Sequence, residues 1–153
     1  MGTFKDSGDR QQFSTGAVRD ASRAKGRFDL LPPFALALVA CIFEDGSLKY
    51  AARNWEGGIP VGRFVDSAMR HLEKYQAGLR DEPHLSMAAW NVLCALWTAC
   101  MVRLGLRDAA LFDLPNHIGN EPAQPLSPYE EMRLEKFLGR PLPAPKPTED
   151  NAS

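Results

Sequence analysis

Cysteine is scarce in this chain, three in 153 residues, and Cys41, Cys94 and Cys100 all sit inside apolar runs without CxxC spacing. That excludes a disulfide framework and a cysteine-based zinc site, and it predicts buried, reduced thiols. Burial raises a thiol pKa, so a cysteine nucleophile is not expected. Excess charge of either sign is missing as well. Lysine and arginine number 18 against 19 acids, a formal net charge of −1, so no basic field is present to attract polymeric nucleic acid or a membrane surface. A compact ligand or another protein fits that balance better. Gly57-Gly58 is followed by neither Lys-Ser/Thr nor a helix fingerprint, which excludes Walker and dinucleotide phosphate loops. The chain also has no GxSxG elbow, no HExxH motif and no internal repeat. Met1 to Lys25 lacks an apolar stretch, so no signal peptide is expected.

What is present is an apolar content of 44%, ordinary for one globular domain and concentrated in one stretch. Asp81 to Leu104, DEPHLSMAAWNVLCALWTACMVRL, opens with two acids and a proline, which suits a helix start. At helical spacing His84, Ala88, Asn91, Ala95 and Thr98 form one small or polar face, while Leu85, Trp90, Leu93, Leu96, Trp97 and Met101 cover the others. The spacing predicts a helix buried nearly all round. Its polar stripe either is satisfied within the core or lines a site with Asp81, Glu82 and His84 at its mouth. Carboxylates beside an imidazole can hold a divalent cation or move a proton. The run from Leu85 to Val102 approaches membrane-spanning length. Ser86, Asn91 and Thr98 within it, the lack of a second span, and His84 and Arg103 at its ends speak against insertion.

Residues 1–15 mix polar types without periodicity and read as a flexible arm. Pro32 and Pro33 start a short, buried first helix that the Glu44-Asp45-Gly46 sequence would stop. Its exit, GSLKYAARNWEGGIPVGR, is a glycine-dense loop in which Lys49, Tyr50, Arg53, Asn54 and Trp55 are bunched, a pattern that can present cations and aromatics to a ligand. Trp55 or Tyr50 could stack on a base; the plainer alternative has Trp55 closing the end of the bundle and Lys49 in solvent. From Arg63 to Gln76 an apolar stripe of Phe64, Val65, Ala68, Leu72 and Tyr75 predicts a second helix, with Gly78 at its C-terminal cap. Arg70 is spaced to pair with Asp66 or Glu73 in a solvated row. His71 shares the stripe. The short GLRD turn makes this helix antiparallel to the next, so His71 is expected close to His84.

Beyond Gly105, RDAALFDLPNHIGN gives a further turn or helix, and eight of the 12 prolines lie between Pro115 and Pro147. Ser127-Pro128-Tyr129-Glu130 reads as a capping box opening a helix to Leu138 that Gly139 ends. The expected layout is an arm over 1–15, an all-α domain over 16–110, a proline-rich extension with one short helix over 111–140, and a disordered tail over 141–153. The fold class is all-α, a compact bundle of four to five helices that carries acids, two histidines, amides and aromatics around its second and third helices.

Several ordered motifs resemble one family. They are GAVRD (16–20), KGRFDLLPP (25–33), the acid-Gly-x-x-Lys-Tyr-x-x-x-Asn-Trp-x-x-Gly-Ile-Pro string from Glu44/Asp45 to Pro60, DSAMRHL (66–72), and DE-x-HL followed by AAWN (81–91). Together, over roughly residues 16 to 104, they resemble the phage domain family called dATP/dGTP diphosphohydrolase N-terminal, which is similar to the MazG-like all-α nucleotide pyrophosphohydrolases. The usual MazG pattern of ExxE followed by ExxD is absent here, since the later helix offers Asp81, Glu82 and His84 and then Met87.

The resemblance implies cleavage of a purine (deoxy)nucleoside triphosphate, dGTP or dATP, between the α and β phosphates with Mg²⁺ or Mn²⁺. It implies a homo-oligomer, dimer or tetramer, in the cytoplasm, the host's if the chain is phage-encoded. On that footing Asp81 and Glu82 bind metal with Glu44 as a further ligand, and His71, Glu82 and His84 form the catalytic group, the histidines binding metal or orienting water. Lys49, Arg53 and Arg70 would contact phosphates. Trp55 or Tyr50 would stack on the base, and Asn54 or Asn91 would read its edge or the sugar. Two other functions fit the same residues: a nucleotide-binding regulatory module without efficient catalysis, and a structural phage protein.

Overall fold

Two antiparallel helices, α2 (Val61–Gln76) and α3 (His84–Arg103), organise the protein. The computed structural model describes residues 10–20, 26–119 and 121–144. Residues 1–9 of the arm expected over 1–15 and residues 145–153 of the tail expected over 141–153 lie outside them. The architecture is all-α. Around the central pair stand α1 (Pro33–Tyr50) and α4 (Pro128–Leu138), joined by single 3₁₀ turns at Phe28–Leu30, Asn54–Glu56 and Ala109–Leu111. A small hairpin, β1 (Arg10–Gln12) with β2 (Val18–Asp20), was not anticipated from the aperiodic sequence. It closes through Phe13 to Ala17, where Gly16 adopts φ +84 and its N–H bonds to the Phe13 carbonyl at 2.9 Å.

The α2–α3 packing uses small side chains. Val61, Phe64 and Ala68 on α2 face Ala88, Asn91, Cys94, Thr98 and Ala99 on α3, all buried, because short side chains let two helix backbones come close. The expectation that α3 would be buried nearly all round fails on its other side. Leu85, Val92, Leu93 and Leu96 are 51%, 53%, 44% and 45% exposed. No element of the described chain covers them, so the polar stripe faces inward while large apolar residues face out. By length and composition α3 could cross a membrane, yet its buried share is that inward stripe.

The first helix also departs from expectation. It is neither short nor buried: α1 runs 18 residues, through Glu44-Asp45-Gly46, and buries only Val39. One glycine costs a helix about 1 kcal/mol relative to alanine. Phe43 offsets that by packing edge-on to Trp90 and Trp55, with ring centroids 5.8 and 5.6 Å away. Trp55 in turn meets Trp97 at 4.9 Å and Phe64 meets Trp90 at 6.0 Å. This aromatic cluster ties α1, α2, α3 and the 54–56 turn together.

Long-range polar contacts fasten the chain beyond α3. The Gly62 N–H in the first turn of α2 donates to Asp113 at 2.6 Å, an acid completing a helix N-terminus. A Cβ at Gly62 would lie 2.9 Å from both Asp113 carboxylate oxygens, so the close approach requires glycine there. Arg103, nearly buried, pairs with Glu131 of α4 and donates to the Pro143 carbonyl at 2.8 Å. The capping box forms as the sequence suggests, with Glu130 N–H donating to Ser127 Oγ and the Glu130 carboxylate accepting from Ser127 N–H.

Candidate metal centre

The turn between α2 and α3 brings the chemistry-bearing side chains together. Gly78 takes φ +90 just past α2, and its N–H bonds to the Tyr75 carbonyl, a left-handed C-terminal stop. Arg80 lies over the Tyr75 ring at 4.1 Å and donates to the Tyr75 and Leu79 carbonyls, which fastens the turn. The His84 N–H then bonds to the Glu82 carbonyl at 2.8 Å. Glu82 and His84 are thereby set beside the last turns of α2.

His71 continues the inward face of α2 that Phe64 and Ala68 begin, three residues beyond Ala68. Its Nδ1 lies 3.0 Å from Nδ1 of His84, the proximity that the antiparallel geometry predicts. His84 is 1% exposed, among the most completely buried side chains in the described structure. Glu82 Oε2 is 3.7 Å from His84 Nδ1. Ligand atoms of His71, Glu82 and His84 all fall within 4.8 Å of one another.

Asp81 stands on the opposite side of the same ring, its carboxylate 3.0 Å from His84 Nε2. A carboxylate accepts, so Nε2 carries a proton and Nδ1 of a neutral His84 keeps its lone pair for the cluster. The hydrogen bond from His84, then backbone hydrogen bonding, holds the Asp81 carboxyl below its ordinary value. His71 is also held below its ordinary value, first by partial burial and then by the nearby His84, against a weaker upward pull from Glu82. A histidine so placed is neutral near pH 7, when it can donate a lone pair.

The other residues singled out from the sequence are spread more widely. Lys49 and Tyr50 form the exposed end of α1 rather than a loop, with the ammonium 4.9 Å from the Tyr50 ring. Lys49 is held above its ordinary value, first by the Tyr50 hydroxyl and least by Glu82, whose charge therefore reaches it. Arg53, at φ 60, pairs with Glu56 at 2.6 Å. Asn54 opens the 3₁₀ turn, its carbonyl accepting from Gly57 N–H. Trp55 is engaged in the aromatic cluster, which leaves Tyr50 as the exposed aromatic of this segment. Arg70 pairs with Asp66 in solvent. Asn91 is buried and donates to the Met87 carbonyl at 2.8 Å. Glu44 is exposed on α1, outside the three-residue group, with its carbonyl accepting from Ser47 Oγ.

Lys74, 3.9 Å from Glu82, was missed. Its position three residues after His71, on the same helix face, was the available signal.

Two imidazole nitrogens and one carboxylate, carried by two helices and a tight turn, suit a divalent cation and the anionic ligands such a cation holds. No curated protein and no solved structure matches the chain. The family model described as dATP/dGTP diphosphohydrolase, N-terminal, matches residues 15–105, the span holding α1, α2, α3 and all three centre residues, and the chain belongs to that family.

Proposed function

We propose that the protein hydrolyses purine deoxynucleoside triphosphates, dGTP or dATP, to the monophosphate and pyrophosphate with Mg²⁺ or Mn²⁺, in phage nucleotide metabolism in the host cytoplasm. The observation that carries this is the convergence of His71, Glu82 and His84 at the α2–α3 turn, within the matched family span. The donors fit a divalent ion: two aromatic nitrogens and an acid whose atoms already lie within reach of one point. A bound cation would offset part of the roughly four negative charges of a triphosphate and polarise its oxygens.

The chain's own groups supply the rest. His71, Glu82 and His84 would hold the cation, with Asp81 fixing the His84 ring. Glu82, through the carboxylate oxygen turned away from the cation, takes a proton as water adds to the α-phosphorus; the bond to the α–β bridging oxygen breaks, and pyrophosphate leaves with that oxygen. Lys49 and Lys74, both exposed and both within the field of Glu82, attract the phosphates. Arg53 and Arg70 join them after exchanging their surface acids. Tyr50 stacks on the base, and Asn54 reads its edge.

The test is pyrophosphate release from each deoxynucleoside triphosphate with Mg²⁺ or Mn²⁺. Release is expected with dGTP and dATP, and Glu82→Gln is expected to lower it by about two to three orders of magnitude while circular dichroism stays unchanged. Nucleotide binding without release would overturn the enzymatic reading in favour of a regulatory module.

A further inference from the structure

We infer that the centre is a two-histidine, one-carboxylate site selective for a nitrogen-accepting transition ion, Mn²⁺, Co²⁺, Ni²⁺ or Zn²⁺, over Mg²⁺, with Asp81 as its positioning residue. This deepens the proposed function and rests on the same three side chains. Mg²⁺ takes oxygen ligands and gives up water reluctantly, whereas imidazole nitrogen suits later first-row ions. Two of the three donors here are imidazoles.

The spacing is informative. Nitrogen donors about 2.1 Å from one ion lie about 3.0 Å apart when they take neighbouring octahedral positions, and about 3.4 Å apart when the ion is tetrahedral. The two Nδ1 atoms are 3.0 Å apart in a hydrogen bond in which His71 Nδ1–H faces the His84 lone pair, and a cation would displace that proton and take the same spacing. Glu82 Oε2, at 3.7 Å from His84 Nδ1, closes the third position by a small rotation, and its side chain is 47% exposed, held among the described residues only by the 3.9 Å contact with Lys74.

Asp81 sets the direction of the His84 lone pair. Because Nε2 donates to Asp81 at 3.0 Å and the ring is buried, the ring cannot turn without losing both its acid and its packing. Nδ1 is the nitrogen left for an ion. An acid behind a liganding imidazole fixes the tautomer and raises the basicity of the other nitrogen, so Asp81 acts through His84 rather than by touching the ion.

The experiment is calorimetric titration of the purified, chelator-treated chain with MnCl₂, CoCl₂, NiCl₂, ZnCl₂ and MgCl₂ without nucleotide, together with the visible absorption spectrum of the Co²⁺ form. One transition ion per chain is expected, bound tighter than Mg²⁺ by about 100-fold or more, and the Co²⁺ bands are expected to be weak, as six-coordination requires. His71→Gln, at a part-buried position, removes binding and the bands. Asp81→Ala weakens affinity by about 10- to 100-fold, and Asp81→Asn, which retains an acceptor, restores the spectrum at intermediate affinity. Equal affinity for Mg²⁺ overturns the selectivity, and Co²⁺ bands unchanged in a folded His71→Gln overturn the ligand set. Failure of pyrophosphate release with selective binding intact removes the proposed reaction and leaves the centre standing; release with Mg²⁺ alone, with no transition-ion site, does the reverse.

Discussion

Among single residues, His84 and Cys94 show how burial assigns different fates to two enclosed groups on one helix. His84 is enclosed yet has an acid at one ring nitrogen and an imidazole at the other, so its polarity is answered in place. Cys94, wholly enclosed between α2 and α3, has its thiol pushed up to about 12 by burial. A thiolate is the reactive form. Cys94 is therefore expected to stay unmodified by iodoacetamide in the native protein at neutral pH and to react only on unfolding, which mass spectrometry of quenched samples reads directly. Labelling at the rate of a free thiol would contradict the enclosed placement.

For individual elements, α4 is the helix whose stability depends most on its ends. It buries no residue, so the capping box, the Gly139 stop at φ +67 and the Arg103–Glu131 pair carry much of its stability. Ser127→Ala is expected to cost about 1 kcal/mol, seen as a lower midpoint in urea unfolding or as faster exchange of the α4 amides. The box also has a pH sign. Glu130 is held below its ordinary carboxyl value, first by its side-chain hydrogen bond with Ser127. The stabilisation is full above the ordinary carboxyl value of 4.5 and is lost as pH falls through the folded one. The Ser127→Ala penalty is accordingly expected to be smaller at about pH 3 than at pH 7.

For the whole molecule, the decisive feature is the outward apolar face of α1 and α3. Leu36, Leu72, Leu85, Val92 and Leu93 line an open groove of about 440 Å³, while Leu96 lines a second groove with Tyr129 and Phe137 of α4. A continuous apolar surface of this kind marks an interaction site. We propose that a second copy of the chain covers it: a net charge of −1 offers little repulsion between copies, and a two-fold contact needs one self-complementary patch. Light scattering after size exclusion is expected to give a dimer or tetramer, and Leu93→Glu is expected to shift it to monomer with helical content retained. A wild-type monomer at micromolar concentration would contradict this.

Local sequence was sufficient wherever a few neighbouring residues set the outcome. The period of α2, the capping box of α4 and the proline start of α1 are short-range properties, and the short turn between two antiparallel helices led to the expectation that His71 lies close to His84, as it does. The all-α class followed from the same signals, and the family from the ordered motifs between residues 16 and 91. Tertiary structure decided what depends on contacts distant in sequence. Phe43 packing on Trp90 carries α1 through an apparent stop. Asp113 closes the start of α2 from 51 residues away. The small face of α3 turns inward because α2 approaches it closely, leaving the leucines outside. Asp81 and Glu82 reach opposite sides of the His84 ring because the segment between α2 and α3, residues 77–83, fixes which side of a buried ring each acid can approach. Spacing along a chain gives proximity; the side from which a group is approached is set only when the backbone has folded around it.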